Sequence, residues 1–513
     1  MIRMLALLGG ALALGAAAPA SRPAAIPVTL AASVGDHESG RLIVFVERVD
    51  PRAKPSDTVD FNPFAPSGAT IAARDVTDLR PARTATVDVE TDTFPAPLST
   101  LAPGRYRVQA VLDRNHDYAY SGRGAGDLVS PVVTVTLPGP IPALTLTRIV
   151  PAREPNRRPD LAKYYSLVRP IEFQSTVMTA FRRVPTFIRG WMALPPGYDG
   201  KARFPTVYSD GGFGSSMQSA QRAAANMMAM MADGKAPPMI WVYLDHAGGT
   251  GTHEFADSAN NGPWGTALTS ELIPALENEY RMDANPAGRF LTGHSSGGWS
   301  TLWLQVRYPK LFGGSWPTAP DPSDFHDFTN VDLYAPNANM YADATGKPYP
   351  LIRDKGKVIA TLADFARSEA VMGSYGGQFT SFEWVFSPRG IDGRPVPLFD
   401  RATGRIDPAV VAYWHDNYDI ANILRRNWAA LKPDLDGKIH LTVGTADTFY
   451  LDGPAHRLEA AMRAIGAKTD FRYLPGKTHF DLYVRDGDDT ALLKDIAWEM
   501  YAIARPGSKR PSS

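Results

Sequence analysis

The chain reads as an α/β protein. A doubly wound, mostly parallel sheet carries a cap insertion, and an all-β sandwich precedes it. Three observations predict this. Between residues 27 and 149, short stretches alternate apolar with polar or small residues, with turn residues between them. From about residue 165, strand-like apolar runs alternate with stretches whose apolar residues recur three and four apart. At 288–299, GRFLTGHSSGGW, a short apolar run meets a glycine-bounded turn, and a helix-like stretch, TLWLQVRYPKLF, follows.

The totals bound what such a chain can do. Its 513 residues suit two to four domains with ample core. A hydrophobic share of 44% and a charged share of 21% are those of an ordinary soluble protein. With 53 basic and 53 acidic residues the formal charge is zero, which gives no reason to expect nucleic acid or an anionic membrane as partner. Cysteine is absent, so thiol catalysis, zinc–thiolate sites, disulfides and lipid attachment at Cys are excluded. Met1-Ile2-Arg3 is a short positive start, residues 4–17 are apolar but too short to span a bilayer, and Ala18-Pro19-Ala20 is a small-x-small site. Residues 1–20 therefore read as a cleaved signal peptide, and the mature chain as periplasmic or secreted. No later stretch has the length and apolarity of a membrane anchor.

Residues 21–150 are expected to form the sandwich, with IPVTLAASV, GRLIVFVERV, TATVDVE, GRYRVQAVLD and SPVVTVTL as strands and no helix. Within it, Asp113, Asn115, Asp117 and Asp127 have the oxygen side chains of a weak calcium loop. Tyr118 stands where such a loop needs Gly, and no terminal Glu follows at the right offset, so a polar turn is the preferred reading. Residues 151–164 begin with PAREPNRRPD and read as a linker. Residues 165–322 and 436–505 form the α/β domain. TFIRGWMALPPGY, FPTVYSDGG, PMIWVYLDH and RFLTGH supply its strands, with KIHLTVGTAD and TDFRYLPG later. The helices are MQSAQRAAANMMAMMADG, TALTSELIPALENEY, STLWLQVRYPKLF, GPAHRLEAAMRAIG and TALLKDIAWEMYAIA. The methionine-rich stretch at 226–231 would pack on the sheet rather than form an adaptable surface. Residues 323–435, rich in aromatics, Pro and Gly, interrupt the alternation and read as a cap over the sheet's carboxyl edge. Residues 506–513 read as a tail without fixed structure.

Gly293-His294-Ser295-Ser296-Gly297 is the G-x-S-x-G nucleophile elbow in a strand–turn–helix setting. Its glycines make room for a strained turn that lifts the Ser295 hydroxyl above the sheet edge. A Ser hydroxyl is a poor nucleophile at neutral pH, so it needs a base, and the base needs a group to fix its tautomer. In folds with this elbow, acid and His follow the Ser in that order, each at a strand's carboxyl end. KIHLTVG ends at Asp447 and FRYLPG ends at His479, which match. His440 and His456 lie within a strand and a helix, and His326 and His415 precede the acid. His294 is expected to point away from the pocket. Asp452 and Asp481 do not terminate a strand directly, so Asp447 is favoured.

The oxyanion hole needs two backbone N–H groups. Ser296 should give one. Gly212 or Phe213, in the Asp210-Gly211-Gly212-Phe213-Gly214 loop, should give the other, and spacing does not choose between them. Asn260, Asn261 and Trp264, in the loop after the third strand, are candidate substrate contacts. His253, Glu254 and Asp257 in that loop lack a fourth ligand at a recognisable spacing, so no metal and no cofactor is expected.

WMALPPGYDG, SDGGFG, ENEYR, RFLTGHSSGGWSTLWLQVRYPKLFGG and PGKTHF together resemble the "Putative esterase" family of α/β-hydrolases, which includes esterase D-like, feruloyl-esterase-like and enterochelin-esterase-like enzymes. The resemblance covers residues 165–322 and 436–505. It implies a serine carboxylic-ester hydrolase with Ser295 as nucleophile, Asp447 as acid and His479 as base. Enterochelin esterases likewise carry a β-sandwich ahead of the hydrolase domain. The chain departs from the family in its insertion at 323–435 and in Asp210, where many hydrolases have His before the glycines. The expected partner is a small-molecule or glycan-linked ester. The same triad would also serve a peptidase or amidase, and a non-catalytic glycan- or surface-binding protein is the reading from another class.

Overall fold

The computed structural model describes residues 25–508 and 510, apart from 53, 55, 67 and 153. The signal peptide expected over 1–20 lies outside the described residues, as do 509 and 511–513 of the expected tail.

Strands between 25 and 149 form two sheets. Ala25–Leu30 lies between Ala85–Asp88 and Leu144–Leu146. The larger sheet is built on Glu38–Arg48, Thr70–Leu79 and Gly104–Asp113. Glu38–Arg48 shows why its LIVFV run does not alternate with polar residues. Leu42, Val44 and Val46 face the smaller sheet's Ile26, Val28 and Leu144. Ile43 and Phe45 point the other way, onto Val371 and Met372 of the helix Leu362–Met372. A strand covered on both faces has no solvent side to mark with polar residues.

A 3-10 turn, Leu98–Thr100, and a short α-helix, Tyr118–Ser121, depart from the all-β expectation. The α-helix follows the loop that carries the oxygen-rich residues. There the Asp113 carboxylate accepts the backbone N–H of Asn115, Asp117 and Tyr118, and Asp127 accepts those of Gly124 and Arg114. These carboxylates serve the turn's own backbone. Among the described residues, no group of three or more His, Asp or Glu side chains is arranged to hold a metal ion.

The main sheet has eight strands in the order Arg169–Gln174, Phe187–Ala193, Ile240–Asp245, Thr206–Asp210, Arg289–His294, Gly314–Thr318, His440–Gly444 and Asp470–Leu474. The first three strands pair antiparallel in succession, and every later pairing, from Ile240–Asp245 with Thr206–Asp210 onward, is parallel. Adjacent residues face opposite layers. Trp241, Val207 and Phe290 pack with Met227 and Met230 of the helix Met217–Ala232. Ile240, Tyr208 and Leu291 pack with Leu272 and Leu276 on the other side. Two strands escape the sequence reading. Arg169–Gln174 is a half-exposed edge strand, and Gly314–Thr318 contains Pro317, which lacks a backbone N–H.

The segment 323–435 holds a hairpin, Pro350–Asp354 with Lys357–Thr361, and the helices Leu362–Met372, Gln378–Phe386, Pro408–Asn417 and Ile420–Leu435. Trp414 and Phe386 are buried in its interior, against Phe325 and Phe328. No helix among the described residues is long and apolar enough to cross a membrane.

Candidate active site

The strand Arg289–His294 and the helix Ser296–Arg307 meet at Ser295, whose φ of 59° and ψ of −123° lie outside the regions an L-residue prefers. Such a conformation costs about 1–3 kcal/mol and persists only where the surroundings over-determine it. Here they do. A Cβ on Gly293 would lie 2.2 Å from the Gly297 carbonyl oxygen, and one on Gly297 would lie 2.4 Å from those of Asp210 and Gly211. The two glycines therefore let the elbow press against the loop after Thr206–Asp210. The Ser295 N–H donates to the Thr318 carbonyl at 3.0 Å, and its own carbonyl accepts from Trp299 at 3.0 Å.

Asp447 lies three residues past His440–Gly444 and is fully buried. Its Oδ2 is 2.8 Å from His479 Nδ1, while Oδ1 accepts the N–H of Phe449 at 2.9 Å and of Leu451 at 3.2 Å. With both oxygens engaged, the carboxylate cannot rotate freely. A ring whose Nδ1 faces a carboxylate holds its proton there and leaves Nε2 bare. The edges of Phe449 and Phe480 meet the His479 ring at 84°. Arg353, from the hairpin of the 323–435 segment, donates to the Asp447 carbonyl at 2.7 Å and braces the loop from above.

Ser295 and His479 open on one cavity of about 510 Å³. Gly212 and Phe213 line it too, and a Cβ on Gly212 would touch the Ser295 Cβ at 3.2 Å. Ser296 begins the helix behind Ser295. Phe365, Phe379 and Phe382 form the wall given by the 323–435 segment, and Phe449 and Phe480 the wall beside His479. Among the described residues no Lys or Arg lines the cavity.

Other expected positions differ. His294 does not point away: its ring lines the cavity and packs on that of His479 with centroids 4.3 Å apart. Burial and the neighbouring His479 hold it well below the usual imidazole range, so it stays neutral. Asn260, Asn261 and Trp264 lie away from the cavity. Asn260 Nδ2 donates to the Ser387 carbonyl at 2.8 Å, Asn261 accepts from Thr250, and Trp264 stacks on His253 at 3.9 Å. Asn260 ties the 246–264 loop to the end of the helix Gln378–Phe386, while Asn261 closes the loop on itself.

Three residues at the cavity carried no sequence signal. Asp321 follows the strand that Pro317 disguises. It is buried, accepts the Ser296 hydroxyl at 2.7 Å and lies 3.5 Å from Gln378 Nε2. Burial drives its carboxyl up to about 6, against the opposing pull of Ser296 and His479. Gln378 opens the helix that forms the cavity roof. Phe64 reaches the cavity from the N-terminal half of the chain. Beneath the glycine loop lies a further buried pair, His246 and Asp210, 3.1 Å apart. Burial lowers the His246 pKa, but the Asp210 carboxylate outweighs it with help from Glu254, and the net value is about 9.

The "Putative esterase" family model matches residues 184–483, more than half of the chain. No curated protein matches the chain. Similar solved structures include a ferulic acid esterase from Anaeromyces mucronatus, 15% identical, covering 66% of this chain and 89% of its own, with a TM-score of 0.34. An S-formylglutathione hydrolase from Agrobacterium tumefaciens is 14% identical, with 66% and 95% covered and a TM-score of 0.36. A fluorophosphonate-binding serine hydrolase from Staphylococcus aureus is 12% identical, with 66% and 98% covered and a TM-score of 0.37. By the extent of the family match, this chain belongs to the "Putative esterase" family and is a carboxylic ester hydrolase.

Proposed function

We propose that the chain hydrolyses an uncharged, largely apolar ester through an acyl-enzyme formed on Ser295. The observation that carries this reading is the Asp447–His479 pair, held at 2.8 Å and facing the same cavity as a serine on a strained elbow. His479 Nε2 takes the Ser295 proton as Oγ attacks the ester carbonyl. The tetrahedral oxyanion receives hydrogen bonds from the Ser296 N–H and from the Gly212 or Phe213 N–H. His479 then gives its proton to the leaving alcohol, and water, activated by the same imidazole, cleaves the acyl-enzyme. Asp447 keeps the ring in register throughout. Each oxyanion donor contributes roughly a hundred- to a thousand-fold in rate. The 323–435 segment acts as a cap whose phenylalanines favour apolar groups, and a lining without cations gives an anionic substrate no partner.

The test is Ser295→Ala against wild type on p-nitrophenyl butyrate, with a fluorophosphonate label located by mass spectrometry. We expect label on Ser295 and a loss of roughly a thousand-fold or more in kcat. Equal rates, or label elsewhere, would refute the assignment. We further propose that the chain is exported, because residues 1–20 combine a positive start, an apolar core and a small-x-small site. Terminal sequencing of the protein from whole cells should read Ser21 first; a chain retaining Met1 would overturn this.

A further inference from the structure

The N-terminal sheets touch the catalytic apparatus directly. Tyr120 lies in the short helix after the strand Gly104–Asp113, and its hydroxyl donates to the Ser215 carbonyl at 2.8 Å. Its ring meets that of Phe213 edge-on, with centroids 4.8 Å apart at 73°. Ser215 and Phe213 belong to the glycine loop that faces Ser295. That loop is short and glycine-rich, and it needs an external brace to keep an N–H aimed at one point. The Ser215 N–H closes back on the Gly212 carbonyl at 3.0 Å, so a hold on Ser215 is also a hold on Gly212.

Phe64, from the same part of the chain, stands at the mouth of the cavity and is 38% exposed. Its ring centroid lies 5.6 Å from that of Phe365 and 5.9 Å from that of Phe449, which in turn lies 4.8 Å from that of His479. One aromatic chain thus runs from the N-terminal sheets to the base. The sheets are also fixed in place. Arg41, buried, donates from Nη2 to the Val371 carbonyl at 2.7 Å and from Nε at 3.1 Å, and Val371 and Met372 share a core with Ile43, Phe45 and Phe94.

We propose that the N-terminal sheets are a working part of the catalytic site: Tyr120 positions the oxyanion loop and Phe64 is the outer wall that selects esters with a long apolar chain. This rests on the acyl-enzyme reading of Ser295. Tyr120 is a positioning residue, since it acts through Phe213 and Ser215. Phe64 is a specificity residue.

The experiment compares full-length wild type, Tyr120→Phe, Phe64→Ala and Phe64→Leu on p-nitrophenyl acetate and p-nitrophenyl octanoate, with fluorophosphonate labelling of Ser295 in every variant. Tyr120→Phe keeps the ring and loses one hydrogen bond, so kcat should fall about three- to ten-fold on both esters with KM within about two-fold. Phe64→Ala should lower the octanoate-to-acetate ratio of kcat/KM about five- to ten-fold, and Phe64→Leu should restore most of it. An unchanged kcat in Tyr120→Phe, or an unchanged ratio in Phe64→Ala, overturns the corresponding role. If wild type takes no label at Ser295, the acyl-enzyme reading has failed instead, and the two failures are told apart.

Discussion

Asp321 shows how a buried group at the cavity, bonded to the Ser296 hydroxyl, couples protonation to stability. Its carboxyl titrates near 6 in the fold, against 3.8 for an unperturbed aspartate, because burial disfavours the charge. The folded chain therefore holds this proton more tightly than the unfolded chain, and stability falls as pH rises from about 4 to about 6. Asn at this position keeps an acceptor for the Ser296 hydroxyl and removes the charge. Urea denaturation at pH 4 and pH 7 should show wild type losing roughly 2 to 3 kcal/mol relative to Asp321→Asn over that interval. Parallel pH dependence of the two proteins would show that Asp321 ionises without cost. The residues that sequence picked out, Ser295, Asp447 and His479, share one property: each follows within five residues of the end of a strand that sequence also located. Asp321 follows a strand as closely, but Pro317 and the short run GSWPT hide that strand. Phe64 and Tyr120 reach the cavity through contacts distant in sequence, and no local periodicity records these.

At the level of elements, the elbow is a fit between two loops. The helix Ser296–Arg307 approaches the Asp210–Gly211 backbone so closely that a single methyl on Gly297 would sit 2.4 Å from two carbonyl oxygens. Gly297→Ala should therefore destabilise the fold by about 2 to 3 kcal/mol, and by displacing the oxyanion loop should lower kcat roughly a hundred-fold. Gly249→Ala, where a Cβ meets nothing within 4 Å, should stay within about 0.5 kcal/mol of wild type. Thermal melts and the butyrate assay measure both, and similar behaviour of the two variants would contradict the close-approach account. Loops were harder to read than such glycine turns. A loop at a sheet's carboxyl edge is expected to meet substrate, yet the helix Gln378–Phe386 covers the 246–264 loop. There Ser381 Oγ accepts the Thr252 N–H at 2.8 Å, while Asn260 turns to Ser387. Sequence gives the insertion's position but not the direction in which it folds back.

At the scale of the whole molecule, the alternation of strands and helices was legible because the central strands, such as Ile240–Asp245 and Arg289–His294, are buried on both faces, while helices such as Met217–Ala232 bury one. The edge strand Arg169–Gln174 was not, since half-exposed strands mix polar and apolar residues without a clean period. The two halves of the chain were legible as separate patterns, but their contact was not. The LIVFV run held the only hint: a strand apolar on both faces in a small sandwich needs a second cover. That cover comes from a helix more than three hundred residues later, and Arg41 spans the seam.

The seam has a consequence for anyone wishing to borrow this catalyst. Cutting the gene after residue 164 and expressing the remainder would wet Val371 and Met372, strand the Val371 carbonyl without its guanidinium, and open the mouth of the cleft on one side. A trimmed enzyme would first need a redesigned flank there, with small polar side chains in place of the orphaned apolar ones.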